Sequence, residues 1–136
     1  MAPVFVDTNI LVYPFDRGEP ERSERAKRLL GDPGGNLVIS TQVMLEFYVV
    51  VTRKLRPPMP EPAASEALDR LAELAVVTTD ARLVQRAAAT SQAHHVSMWD
   101  ALIVEAAFEA GCDRIWTEDL ATGSVMRGIE IVNPLA

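Results

Sequence analysis

Short β-branched and aromatic runs, each too brief for a helix and each separated from the next by a helix-length segment, constrain this chain most. They are Pro3-Val-Phe-Val6, Leu37-Val-Ile39, Val76-Val77, Arg114-Ile-Trp116 and Ile129-Glu-Ile-Val132. Strands that alternate with helices are joined by crossovers and lie parallel, with helices covering both faces. The expected fold class is therefore α/β, with a central parallel sheet of about five short strands. At 136 residues the chain has the length of one domain, expected over 1–136.

The intervening segments carry helix start and stop signals. Ile10 to Phe15 reads as a short helix that Pro14 breaks or kinks, and the turn Gly18-Glu-Pro20 leads into a helix over Glu21 to Leu30, ended by Gly31 to Gly35. Ser40-Thr41 caps a helix from Gln42 to about Leu55 that is apolar nearly all round. Pro57, Pro58, Pro60 and Pro62 form a stiff connection to an amphipathic helix over Ala63 to Leu74. Asp80 caps a helix reaching about Ala93, His94-His95-Val96 is a loop, and Ser97 caps a helix over Met98 to Ala110 that Gly111 ends. Thr117 to Gly128 reads as a loop or short helix.

Composition closes off other classes. With 49% apolar and 24% charged residues the chain is no disordered tail, and its single cysteine, Cys112, excludes an internal disulfide. Cys112 follows a helix-ending glycine, where a small buried thiol is the usual outcome. The longest purely apolar stretch, Phe47 to Val51, is far short of the roughly 20 residues of a membrane span, and the N-terminus lacks a secretory pattern. A cytoplasmic protein without a membrane partner is expected. The formal charge of -6 repels nucleic acid unless basic residues cluster or a divalent cation bridges the two.

In a parallel sheet the functional crevice lies at the carboxyl ends of the strands, where Asp7 and Asp119 fall. Each has a structural reading, Asp7 as an Asx-turn or N-cap and Asp119 as a first-turn acid with Thr117 as cap. Glu46 interrupts an apolar helix, so it needs either an arginine partner or a bound cation. Asp100, three residues after Ser97, either completes an imperfect capping box or holds a metal. If the four converge, their repulsion raises their pKa values unless a divalent cation neutralises them. A carboxylate set suits Mg²⁺ or Mn²⁺, and no Cys/His pattern suits Zn²⁺. The chemistry that follows is metal-assisted phosphodiester hydrolysis.

Val6-Asp-Thr-Asn-Ile10, Glu46 in its apolar helix, Trp99-Asp-Ala-Leu-Ile103 and Thr117-Glu-Asp-Leu120 together resemble the motif series of PIN-domain ribonucleases, in order and over nearly the whole chain. Within that family the sequence is most similar to the toxin component of VapBC-type toxin-antitoxin pairs, which are Mg²⁺- or Mn²⁺-dependent endoribonucleases. The resemblance implies a catalytic acidic centre of Asp7, Glu46, Asp100 and Asp119, with Asp7, Asp100 and Asp119 as metal ligands and Asn9 and Thr117 as polar residues supporting them. It also implies an RNA substrate, a small antitoxin protein and a homodimer. The chain departs from the pattern after Asp119, where Leu120-Ala-Thr-Gly123 supplies no further acid.

Arg53, Lys54 and Arg56, with no interleaved acids, are the better candidates for RNA contact; Arg22, Arg25, Lys27 and Arg28 are interleaved with Glu19, Glu21 and Glu24 and read as a solvated face. Phe47, Tyr48, Val50 and Val51 read as core, with a homodimer or antitoxin groove as the alternative. His94 and His95 have no nucleophile partner at a recognisable spacing and read as exposed. A phospho-accepting receiver domain wants a lysine near a late strand end, whereas Lys27 and Lys54 are early. A haloacid-dehalogenase-type phosphatase wants an acid where Asn9 stands. The alternative that survives is a non-catalytic PIN-like protein-interaction or RNA-binding module.

Overall fold

A computed structural model describes residues 2–31 and 36–136. In it the expected strands β1 (Val4–Val6), β2 (Leu37–Ser40), β3 (Ala75–Val77) and β4 (Arg114–Trp116) form, and the expected fifth is preceded by a two-residue strand, so that β5 is Val125–Met126 and β6 is Ile129–Val132. One sheet runs in the order β3-β2-β1-β4-β6-β5. Every pairing is parallel except β5 with β6.

The extra strand is a correction to the loop or short helix expected over Thr117 to Gly128. Met126 pairs with Ile129, leaving Arg127 and Gly128 as a two-residue hairpin turn. Both have positive φ, 54° and 75°, as the favoured tight hairpin requires. Two residues in a polar loop carry no alternation of their own, so the signal was the turn rather than the strand.

Val4, Phe5 and Val6 are all buried, which a strand achieves only when both sheet faces are covered. The covering helices are α1 (Thr8–Val12), α2 (Pro20–Leu30), α3 (Thr41–Arg53), α4 (Glu61–Leu71), α5 (Ala81–His94) and α6 (Met98–Glu109). Helix α6 lies against β2, β4 and β6 with α5 packed on it, while α3 packs with α1 and α4. Seven consecutive residues of α6, Ala101 to Ala107, are buried, so this helix is enclosed on all sides. Helix α3 buries Val43, Phe47 and Val51, one stripe at i, i+4, i+8.

Helix boundaries follow local chemistry. Ser40, Asp80 and Ser97 each accept the amide three residues on, at 3.3, 2.9 and 3.1 Å, each cap stabilising its helix by about 1 kcal/mol. Pro14 does turn α1 into a 3₁₀ segment over Tyr13–Phe15. Helix α4 starts at Glu61, earlier than the four prolines suggested, because Pro62 sits in the first turn where no amide donor is needed. His94 belongs to α5, and His95 ends it with φ 56°. Of the expected helix end at Gly31 to Gly35, Gly31 caps α2 by donating to the Lys27 carbonyl, and 32–35 lie outside the described residues. Among the described residues no helix is long and apolar enough to cross a membrane.

Candidate functional site

Strands β1 and β4 are neighbours, and the chain leaves β1 toward β2 on one side while β4 lies on the other. This reversal opens a crevice at their carboxyl ends. Asp7 follows β1 directly, and Asp119 follows β4 in a bend rather than on a helix, correcting the first-turn reading of that acid. Glu46 comes from the middle of α3 and Asp100 from the first turn of α6. All four line one cleft of about 520 Å³, together with Gln42, Lys54, Trp99 and the apolar side chains Leu45, Val49, Val50 and Ile103.

Asp7 is only 7% exposed. It accepts the Thr8 amide at 2.7 Å and the Thr117 hydroxyl at 2.8 Å. Thr117, fully buried, also accepts the Asp119 amide at 3.1 Å, and Asn9 donates to the Asp119 carboxylate at 3.4 Å. Asp7 thus caps α1 and also lines the cleft, so its two readings coexist. Asp100 donates its amide to Ser97 Oγ, which is the Ser97 half of the expected box, and the residue lines the cleft.

Glu46 is held by neutral hydrogen-bond donors rather than by the arginine weighed for it. Thr8 Oγ1 donates to one of its oxygens at 3.1 Å and Gln42 Nε2 to the other at 2.9 Å; among the described residues no arginine meets it. Gln42 and Thr8 are the site residues that sequence reasoning missed. The i, i+4 spacing of Gln42 and Glu46 on one helix face was the available signal.

The charges are uncompensated. Burial, set against the Thr117 and Thr8 hydrogen bonds and reinforced by Asp119 and Glu46, raises the Asp7 carboxyl to about 6. Asp119 is also raised, first by partial desolvation and then by Glu118, Asp100 and Glu46. Among the described residues Lys54 is the only cation lining the cleft; Arg53 and Arg56 are exposed beside it in sequence but do not line it. Glu118 is turned to the Tyr13 hydroxyl, which donates to it at 2.8 and 3.0 Å and accepts from Arg22 at 3.2 Å.

Hard oxygen donors of one sign, gathered at a sheet edge, suit a divalent cation of the Mg²⁺ type. Such an ion takes one or two carboxylates and completes its shell with water. Among the described residues no three acids already stand close enough to cage an ion unaided. The donor set fits an open, water-rich site rather than a closed cage.

Other candidates fall elsewhere. Phe47 and Val51 are core, Tyr48 and Val50 are half-buried, and the apolar side chains that α3 leaves exposed are Leu45 and Val49. Cys112 is buried and its thiol pushed up to about 11, chiefly by desolvation. His94 and His95 are exposed. Glu105, fully buried on α6, was not singled out by the sequence; Arg127 meets it through Nε and Nη2 at 3.1 Å each, and Thr90 donates to it at 2.7 Å.

A doubly covered parallel sheet with acids gathered at its carboxyl edge defines an α/β protein with an acidic cleft. The PIN domain matches residues 4–122, and the chain belongs to that family. Among solved structures it is similar to VapC20 of Mycobacterium tuberculosis, a Sarcin-Ricin loop cleaving toxin, at 25% identity over 85% of this chain and 89% of that one, with a TM-score of 0.69. A toxin-antitoxin complex from Klebsiella pneumoniae is 21% identical over 96% of this chain and 97% of that one, with a TM-score of 0.71. VapBC2 from Rickettsia felis, bound to a DNA fragment from their promoter, is 16% identical over 94% and 96%, with a TM-score of 0.63. None of the curated proteins compared matches the chain.

Proposed function

We propose that this PIN domain is a metal-dependent endoribonuclease that hydrolyses RNA phosphodiesters at the Asp7, Glu46, Asp100 and Asp119 cleft, and that it is the toxin of a toxin-antitoxin pair. The observation that carries the reading is the convergence of four carboxylates, drawn from β1, α3, α6 and the segment after β4, with a single lysine among them. An acidic protein of this kind meets a polyanion through clustered basic residues or a bridging cation, and this cleft offers one lysine among four acids.

Asp7, Asp100 and Asp119 would hold Mg²⁺ or Mn²⁺, one or two of them directly and the rest through water, and the ion when bound would supply a Lewis acid and a water that ionises near neutral pH. The chain's own part is positioning. Thr117 and the Thr8 amide fix both oxygens of Asp7, and Asn9 steadies Asp119. Thr8 and Gln42 hold the Glu46 carboxylate as an acceptor for the proton of an attacking water. Lys54 offers its ammonium to a neighbouring phosphate. The similarity to VapC20 supports a ribonuclease, and the neighbours solved as toxin-antitoxin complexes support a small antitoxin partner. Exposed Leu45 and Val49 supply apolar surface for an antitoxin.

The absence of an acid in Leu120-Ala-Thr-Gly123 favours the second reading, a PIN-like module that binds without cutting. Cleavage of a structured RNA pool by wild type and Asp7→Asn, each with Mn²⁺, Mg²⁺ or excess EDTA, separates the two. Cleavage by wild type alone, lost in EDTA, is expected. Equal cleavage by both proteins overturns the site assignment, and cleavage by neither supports the binding module.

A further inference from the structure

We infer that Trp99 is a stacking platform for the base of a single-stranded nucleotide whose phosphate sits among the acids of the cleft. The inference rests on the nuclease reading above and adds to it a substrate-positioning residue. Trp99 is 67% exposed, an unusual state for the largest apolar side chain, which ordinarily gains most from burial. Its place in the fold explains why it stays outside. It stands in the first turn of α6, just before the enclosed stretch from Ala101 to Ala107, so the interior below it is already filled.

The indole is not on a random surface. Trp99 lines the same cleft as the four acids and Lys54, with Leu45 and Val49 of α3 completing an apolar wall. Its peptide is also tied to the acids, because Gln42 Nε2 lies 3.4 Å from the Trp99 carbonyl and 2.9 Å from Glu46. One side chain therefore ties the peptide that carries the platform to a carboxylate of the cleft. A base-sized π-face beside a phosphate-directed edge matches the two ends of one nucleotide, and aromatic stacking of this kind accepts any base.

A second copy of the chain is the rival occupant of this wall. Seating one on Leu45, Val49 and Trp99 would close the cleft over carboxylates that already repel one another, adding desolvation to an uncompensated charge. A nucleotide arriving with a divalent cation relieves that charge instead.

The chain has two tryptophans, so Trp116→Phe leaves Trp99 as the sole reporter, and Ca²⁺ in place of Mg²⁺ holds cleavage back with every carboxylate of the cleft in place. In that variant, with Ca²⁺ and a short single-stranded oligoribonucleotide, saturable quenching of Trp99 emission is expected. Adding Trp99→Ala should weaken binding of a labelled oligonucleotide, read by anisotropy, by roughly 5- to 150-fold. Trp99→Phe should restore most of it. In the otherwise wild-type chain Trp99→Ala should raise KM more than it lowers kcat. An oligonucleotide that binds and is cut while Trp99 emission and the Trp99→Ala affinity stay unchanged overturns the platform and leaves the nuclease intact. Absence of both binding and cleavage overturns the two together. Trp99 emission that follows protein concentration without RNA, with dimers that Trp99→Ala dissociates, gives the wall to a second copy and overturns the inference.

Discussion

The Thr117 hydroxyl donates to Asp7 at 2.8 Å while its oxygen accepts the Asp119 amide at 3.1 Å, so one buried threonine fixes acids from the ends of two neighbouring strands. Valine has nearly the same shape and neither function. Thr117→Val should lower stability by roughly 1–3 kcal/mol at pH 7.5 in EDTA, the range for stranding a buried polar group. RNA cleavage should fall at least about tenfold, whereas Thr117→Ser retains both. Urea unfolding and the cleavage assay check this; wild-type values for Thr117→Val would show that the threonine is dispensable.

Asp7 makes stability depend on pH in a direction opposite to that of a salt-bridged carboxylate. Its folded pKa is raised from 3.8 to about 6, so between those values the native state binds more protons than the unfolded one. Stability is therefore lost as pH rises from about 4 to about 6, by up to about 3 kcal/mol, and the loss is complete above that window. Asp7→Asn, a neutral isostere whose Oδ1 can accept the Thr8 amide while its Nδ2 donates to the Thr117 oxygen, should be more stable than wild type at pH 7.5 without divalent ions and should flatten the profile. Thermal melts from pH 4 to 8 in EDTA measure this, and a wild-type curve rising across that window contradicts it.

Divalent ions should reverse the penalty. Mg²⁺ or Mn²⁺ at about a hundred times its dissociation constant should stabilise wild type by about 2.7 kcal/mol, and the double variant Asp7→Asn, Asp100→Asn by far less. Differential scanning fluorimetry across a metal titration reads both. Equal shifts in the two proteins would place the ion elsewhere.

Away from the cleft, Glu105 is a buried carboxylate that depends on a hairpin turn. Arg127 pairs with it through two nitrogens while lying 3.9 Å over the Phe108 ring, and it holds a positive φ to do so. Arg127→Ala should cost roughly 3 kcal/mol, the lower end for an uncompensated buried charge, because Arg86 stays 3.6 Å away. Cleavage per folded molecule should not change. Denaturant melts together with activity normalised to folded protein test both halves.

How much of this was legible depended on where the information lay. Strands β1, β2, β3, β4 and β6 were readable because each is an apolar run bounded by its own caps and turns. Val125–Met126 was not, since a two-residue edge strand exists only through its partner β6. The four acids were legible as a set because each sits after a strand, interrupts an apolar helix or opens one. Their partners were less so: Thr8 and Gln42 look like ordinary helix-start residues until α1 and α3 pack together. The Glu105–Arg127 pair joins α6 to a hairpin that the sequence did not announce, so neither member pointed to the other.

The bond between Asp7 and Thr117 joins residues 110 positions apart. For a chain made from its N-terminus, β1 and its aspartate emerge well before β4, the strand that flanks them and leads into Thr117 and Asp119. No nascent chain shorter than about β4 contains a complete cleft. Whatever chemistry the cleft performs is therefore absent from every nascent chain that stops short of the segment carrying Thr117 and Asp119.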